Sequence, residues 1–284
     1  MTPEPVAAYR KERVGRRVDG VLIAALVLGV LVGGRLPDLS GVTRTLLRAG
    51  VVLLGLQLSV PQLLAVGPGV LVAVVVTVGV TFFGTLWLGR CLGLPRGLYV
   101  LVASGFSICG ASAIAAVEGV VDREDEHVAT SVALVTLYGT VAMVALPLLG
   151  ASPEWIGVSV HEVAQVAAAA PAGGVATAMA VKLGRVALLA PIVAGVGARG
   201  RTGPLVPGFL LGFLALALVS PLVPGVVLGP AKVVTSVVLA AALFGLGTSV
   251  RVGALTRTSP RALLLGLLST VLVCGTGYLS LLVV

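Results

Sequence analysis

A chain of 284 residues that is 58% hydrophobic and only 11% charged, with a mean hydropathy of +1.14, is not a soluble domain; such domains carry about 25% charged residues. Its apolar runs are continuous rather than alternating, which excludes an outer-membrane barrel and leaves no room for a soluble catalytic domain. The net charge of +8 suits a protein flanked by anionic headgroups and needs no nucleic acid to explain it.

The expected fold is therefore an all-α integral membrane protein with about 10 transmembrane helices of roughly 20 residues each. Residues 1–17 form a basic tail with five cationic side chains, and residues 18–284 form a single polytopic domain. The tail and the run from Val18 to Gly34 resemble a signal peptide without a small-x-small cleavage site, so the run reads as an uncleaved first span. Span 2 begins near Val42 and closes on Gly55-Leu56-Gln57-Leu58-Ser59-Val60. Span 3 covers about Gly69 to Leu88 and stops at Arg90 and Pro95.

Span 4, from Gly97 to Val117, has no charged residue, yet its middle reads Ser107-Ile108-Cys109-Gly110-Ala111-Ser112-Ala113. Glycine and serine amid apolar flanks predict an interruption between about Gly105 and Ala113. Unwound backbone in hydrocarbon survives only where protein or a water-filled cavity satisfies it. A continuous helix with a small-residue packing face is the competing reading. An acidic turn follows, holding Glu118, Asp122, Glu124, Asp125 and Glu126, five of the eleven acids. It reads as a solvated turn or as a vestibule for cations. Span 5 runs from about Val128 to Leu149.

Between Trp155 and Val196 the pattern gives spans 6 and 7, with Pro171–Gly174 as the break between them or within a re-entrant pair. Spans 8, 9 and 10 cover about Leu205 to Leu222, Ala231 to Val250 and Ala262 to Val283. Two internal echoes appear. Gly55-Leu56-Gln57-Leu58-Ser59-Val60 matches Gly245-Leu246-Gly247-Thr248-Ser249-Val250 at four of six positions. Gly105-x-Ser107-Ile108 with Ile114-Ala115-Ala116 matches Gly157-x-Ser159-Val160 with Val166-Ala167-Ala168. Spans 2 and 9 would have opposite orientations, as an inverted repeat requires, but the two echoes do not agree on one repeat boundary. Basic residues nearly balance across the two sides, so the positive-inside rule leaves orientation open.

Ionisable residues at membrane depth are costly and usually functional. Glu162 is the one acid expected deep in the membrane, within His161-Glu162-x-x-Gln165. On a helix His161 and Gln165 would share a face. A coupling proton or cation could use Glu162 or His161; the alternative is a hydrated Glu162 near the interface. The pattern lacks the second imidazole of a zincin, so it offers too few zinc ligands for a metalloprotease. Cys91, Cys109 and Cys274 have no metal-ligand spacing, and no metal or cofactor is implied. Lys182 and Arg185 lie three apart on one helix face, where they could meet an anion, pair with Glu162 or snorkel to the interface. Gln57, Ser59, Thr248 and Ser249 are candidate ion ligands or helix-end partners.

Four blocks carry a resemblance: Leu46 to Ser59 (L-L-R-A-G-V-V-L-L-G-L-Q-L-S), Ser107 to Ala113 (S-I-C-G-A-S-A), Val160 to Val166 (V-H-E-V-A-Q-V) and Val181 to Pro191 (V-K-L-G-R-V-A-L-L-A-P). On these the chain resembles the YeiH-type sulfate exporter family, although it starts later, as if one leading span were absent. The family is grouped with sodium/bile-acid symporters and sodium/proton antiporters. The resemblance implies an inverted-repeat bundle with discontinuous helices and a core domain moving against a panel. It implies a substrate site at Ser107, Cys109, Gly110, Ser112, Gln165, Lys182 and Arg185, with coupling at His161 and Glu162.

The expected function is a secondary transporter, an exporter of a small inorganic or organosulfur anion such as sulfate, in the cell (inner) membrane. With no nucleotide-binding loop, H+ or Na+ coupling is expected rather than direct use of ATP. A homodimer is a candidate assembly. The competing readings are a cation/proton exchanger using Glu162 and a non-transporting membrane scaffold.

Overall fold

The computed structural model describes residues 21, 24–25, 27–29, 31–37, 39–57, 66–171, 173–197, 208–249 and 258–284. The basic tail 1–17 and Ser59 lie outside them, as do the side chains of Gln57 and Ser249. The described residues are helical apart from turns and connections. The described residues between 21 and 32 are helical and lead into a 3-10 turn at Gly33–Arg35. Then follow α1 (Ser40–Leu54), α2 (Pro68–Cys91), α3 (Arg96–Ser107), α4 (Ala111–Val117), α5 (Asp125–Leu148) and α6 (Pro153–Ser159). The remainder is α7 (Val163–Ala169), α8 (Val175–Ala187), α9 (Leu189–Val196), α10 (Gly208–Val219), α11 (Gly225–Ser249) and α12 (Pro260–Leu282).

Local chemistry sets these boundaries. Pro68 opens α2 and Pro260 opens α12 at positions where the missing N–H costs nothing. The helix α2 closes on Gly93, at φ 66°, with Leu94 N–H donating to the Gly89 carbonyl at 3.1 Å. Asp125 and Glu126 stand in the first turn of α5, and Glu124 with His127 forms a capping box there. The acidic turn is thus a helix cap, with Arg123 bridging Glu118 and Asp125.

Among the described residues, five stretches are long and apolar enough to cross a membrane: Pro68–Cys91, Asp125–Leu148, Val175–Val196, Gly225–Gly245 and Pro260–Leu282. One more stretch, Leu211–Leu222, forms a shorter apolar helix. Of the expected crossings outside this set, spans 4 and 6 are missing because each folds back on itself. The chain breaks at Ile108–Gly110, as the glycine and serine cluster predicts, but α4 then returns alongside α3. A methyl group at Gly105 would lie 3.0 Å from the Ile114 side chain, and one at Gly97 would lie 2.8 Å from the Asp122 carbonyl oxygen. The segment beyond α4 therefore ends where α3 began. Span 4 is a helical hairpin, not a crossing.

The second hairpin pairs α6 with α7 about a break at Val160–Glu162. A methyl group at Gly174 would lie 2.9 Å from Pro153 Cβ, so this segment also returns to its start. Proline and glycine at 171–174 mark the base of this hairpin; the break lies nine residues earlier than Pro171 at the Glu162 position. His161 and Glu162 sit in the break, so His161 and Gln165 do not share a helix face as the i, i+4 spacing suggested. The base of hairpin 1 meets the start of α5 at His127, and that of hairpin 2 follows its end at Leu148. Hence the hairpins approach from opposite ends of a 24-residue helix that is about 36 Å long.

Packing sorts the helices into two groups. In one, α12 runs against α2, α5 and α6, joined by hydroxyls: Thr77 and Ser280 at 3.2 Å, and Thr85 donating to Ser269 at 3.0 Å. Tyr138 donates to the Leu263 carbonyl and Trp155 Nε1 to that of Cys274. In the other, α1 packs on α10 and α11, with Gly55 against the Phe213 carbonyl and Gly245 against Thr43. Small residues and hydroxyls at contacts are the expected glue where apolar burial gives little drive. The groups meet at α7, which touches α1 and α11.

Candidate functional site

The two hairpin tips meet at mid-height of α5, and the inbound half-helices α3 and α6 both end there. A helix end leaves orphan carbonyls and a partial negative charge, and burial of such groups in a bilayer is costly. Lys182 and Arg185 supply the donors. Lys182 Nζ donates to the carbonyls of Ile108 (2.6 Å), Val160 (2.8 Å) and His161 (2.5 Å). Arg185 donates from Nε to Ser107 (3.0 Å), from Nη1 to Val158 (2.8 Å) and Val160 (3.2 Å), and from Nη2 to Phe106 (2.8 Å). Both side chains are 0% exposed. They do not snorkel, and all three ammonium protons of Lys182 are taken up by carbonyls rather than by Glu162.

The return half-helices α4 and α7 begin at the tips, so their N-termini present amide donors and a partial positive charge. Glu162 serves both. Its Oε1 accepts from Ala111 N–H at 2.5 Å, and its carboxylate caps α7 in a box closed by Gln165 Oε1, which accepts from Glu162 N–H at 3.1 Å. Glu162 is 1% exposed. Gly110 makes this possible: its φ of 72° favours glycine, and a methyl group there would collide with the Glu162 carboxylate. Gly110→Ala should therefore lower the melting temperature in detergent by several degrees, since backbone strain alone costs about 1 to 3 kcal/mol. Gly119→Ala, which meets nothing within 4 Å, should melt like the parent.

The structure thus brings Cys109, Gly110, His161, Glu162, Gln165, Lys182 and Arg185 together, with Ser107 as the last residue of α3 before the first tip. Ser107 is buried and its hydroxyl donates to the Ala103 carbonyl at 2.7 Å. Cys109 is a buried free thiol. Ser112, half-buried, is the second residue of α4. The His161 ring stands edge-on to Phe106, 4.6 Å between centroids, with Nε2 3.5 Å from Thr270 Oγ1. Its Nδ1 is buried without a hydrogen-bond partner among the described residues. Thr248 lies apart, donating to the Gly245 carbonyl of its own helix at 2.8 Å.

Sequence reasoning missed Phe106, Thr270 and the seat of Gln165. Gln165 Nε2 makes long contacts of 3.5 Å to the Thr136 carbonyl and Thr140 Oγ1, over Gly139, where a methyl group would strike its carboxamide. The Thr136-x-x-Gly139-Thr140 pattern on one face of α5 was the available signal. A cavity of about 460 Å³ between α2, α3 and α9 is lined by none of the tip residues.

Two opposed re-entrant hairpins meeting around buried ionisable side chains define a polytopic α-helical membrane protein with a polar centre. The chain belongs to the family described as Conserved hypothetical protein 698, whose model matches residues 10–266. This is the family to which the YeiH-type motifs pointed. Among its relatives, a UPF0324 membrane protein of Corynebacterium glutamicum is 39% identical over 282 residues, covering 89% of this chain and 82% of that protein. One of Bacillus cereus is 32% identical, with 96% and 86% covered. The UPF0324 membrane protein TauZ of Paracoccus pantotrophus is 38% identical over 207 residues, with 64% and 61% covered. No solved structure matches the chain.

Proposed function

We propose that the protein is a secondary transporter that exports a small oxyanion, sulfate or a related organosulfur anion, across the cell membrane by alternating access. The observation that carries this reading is the meeting of two hairpin tips around Lys182, Arg185, Glu162 and His161, all at most 1% exposed. Irregular backbone and ionisable side chains at membrane depth belong to substrate and ion pathways, and discontinuous helices build such sites in secondary transporters.

Charge balance favours an anion. The partial charges of two inbound C-termini and two returning N-termini roughly cancel. Lys182 and Arg185 then outweigh an ionised Glu162 by one unit and a protonated one by two. A dianion is matched by the protonated form, so sulfate and one proton would bind together. The Ala111–Ser112 end of α4 and the His161 imidazole would face that anion, while Lys182 and Arg185 act from behind the tips. A cation exchanger through Glu162 would have to bring its ion up to two fixed cations, and a scaffold has no need of any of these charges.

The 52-residue offset that aligns Gly105-x-Ser107 with Gly157-x-Ser159 also aligns Gly110 with Glu162 and α4 with α7. One crossing helix separates the two hairpins, which supports an inverted repeat of hairpin plus crossing helix. The α1, α10 and α11 group would be the panel against which the hairpin-bearing core moves.

Uptake of labelled sulfate into proteoliposomes, in competition with sulfite, thiosulfate, taurine-like sulfonates, chloride and sodium, tests the substrate class. Competition by the sulfur oxyanions and indifference to chloride and sodium is the expected result. Labelled sodium entering in exchange for protons, with no sulfate uptake, would replace this reading with the exchanger.

A further inference from the structure

The cavity between α2, α3 and α9 is a groove with one charged end. Val75, Gly79, Phe82, Leu86 and Arg90 follow one face of α2, and Pro191, Ile192 and Gly195 of α9 form the opposite wall. From Val75 to Arg90 the groove runs about 22 Å, longer than the roughly 15 Å hydrocarbon depth of one leaflet. Gly79 and Gly195 both face open space, with nothing within 4 Å of a methyl group at either. Phe83 on the rim is 69% exposed, so the groove is open along its side.

Its end is basic. Arg90, in the last turn of α2, and Arg96, the first residue of α3, both line the cavity and are exposed. Arg261 adds a third guanidinium, with Nη1 3.9 Å from where a Gly93 methyl would be. Of the acids in the turn after α4, Glu118 and Asp125 are engaged by Arg123. Neither Arg90 nor Arg96 has an ion-pair partner among the described residues.

We infer that this groove holds an anionic phospholipid, its phosphate on Arg90 and Arg96 and one acyl chain along Val75–Leu86. Charge complementarity selects the lipid: a zwitterionic headgroup offers the two guanidinium groups no net charge, and basic pockets between membrane helices take anionic headgroups. The bound chain would lie against α3 and α9, the elements that lead into hairpin 1 and out of Arg185.

Native mass spectrometry tests this on the purified full chain, offered equimolar phosphatidylglycerol and phosphatidylcholine of the same chain length. The parent should retain phosphatidylglycerol in preference. With about tenfold in affinity for every 1.4 kcal/mol and about 1 kcal/mol per basic residue, Arg90→Gln with Arg96→Gln should reduce that preference roughly thirtyfold. Gly79→Leu with Gly195→Leu, filling open space, should lower retention of both lipids with no loss of folded yield. Equal retention of the two lipids by the parent would overturn the proposal. So would an unchanged preference in the arginine double variant, or full lipid retention once the groove is filled.

Discussion

Lys182→Met is expected to cost the protein about 3 to 5 kcal/mol of stability, the scale for removing one partner from a buried charged network. The methionine fills much the same volume, so the loss comes from the carbonyls of Ile108 and His161, which keep their place with no donor, while that of Val160 keeps only the Arg185 bond at 3.2 Å. Each buried orphan costs about 1 to 3 kcal/mol, and water cannot replace the ammonium at a site 0% exposed. Folded yield and melting temperature in detergent should both collapse. Arg185→Met should behave likewise, since its guanidinium holds four carbonyls from the two hairpins. Were Lys182 instead a substrate clamp, Lys182→Met would fold and melt like the parent and lose only affinity for the anion. A normally folded Lys182→Met protein would therefore contradict the structural role.

That difference shows what the sequence could and could not carry. The place of Lys182 and Arg185 inside an apolar run was legible, but the run alone left burial and snorkelling as equal alternatives. Their partners were not legible: main-chain carbonyls at a helix end have no residue signature. The break at Ile108–Gly110 was legible from glycine and serine among apolar neighbours. Its return was hidden because α3 and α4 together are as long as one crossing, and length cannot tell a crossing from two half-helices. The second break was masked by the i, i+4 spacing of His161 and Gln165, which suits a continuous helix as well as a capping box. The 52-residue echo held the missing information, since Gly105-x-Ser107 and Gly157-x-Ser159 occupy equivalent places before the two breaks.

Glu162→Gln should separate binding from coupling. Glutamine keeps an oxygen that can accept from Ala111 N–H, while its second position becomes an NH2 donor that cannot accept from the start of α7. Neutral bonds are roughly half as strong as charge-assisted ones, so a modest loss of stability is expected. Functionally the variant resembles the protonated site, with both cations left to face a dianion. Sulfate-for-sulfate counterflow should persist, while net transport driven by an imposed pH gradient should vanish. Gradient-driven flux equal to the parent's would rule Glu162 out as the proton carrier. The buried Nδ1 of His161 would then be the next group to test, through His161→Gln.

Sulfate and protons should move together through the hairpin tips. Proteoliposomes loaded with labelled sulfate and a luminal pH indicator follow both at once. The expected record is sulfate efflux with a simultaneous rise in luminal pH in the parent, and sulfate exchange without any pH change in Glu162→Gln. Sulfate leaving the parent with the lumen pH unmoved would contradict proton coupling, and no sulfate movement from well-folded protein would contradict the transport reading itself.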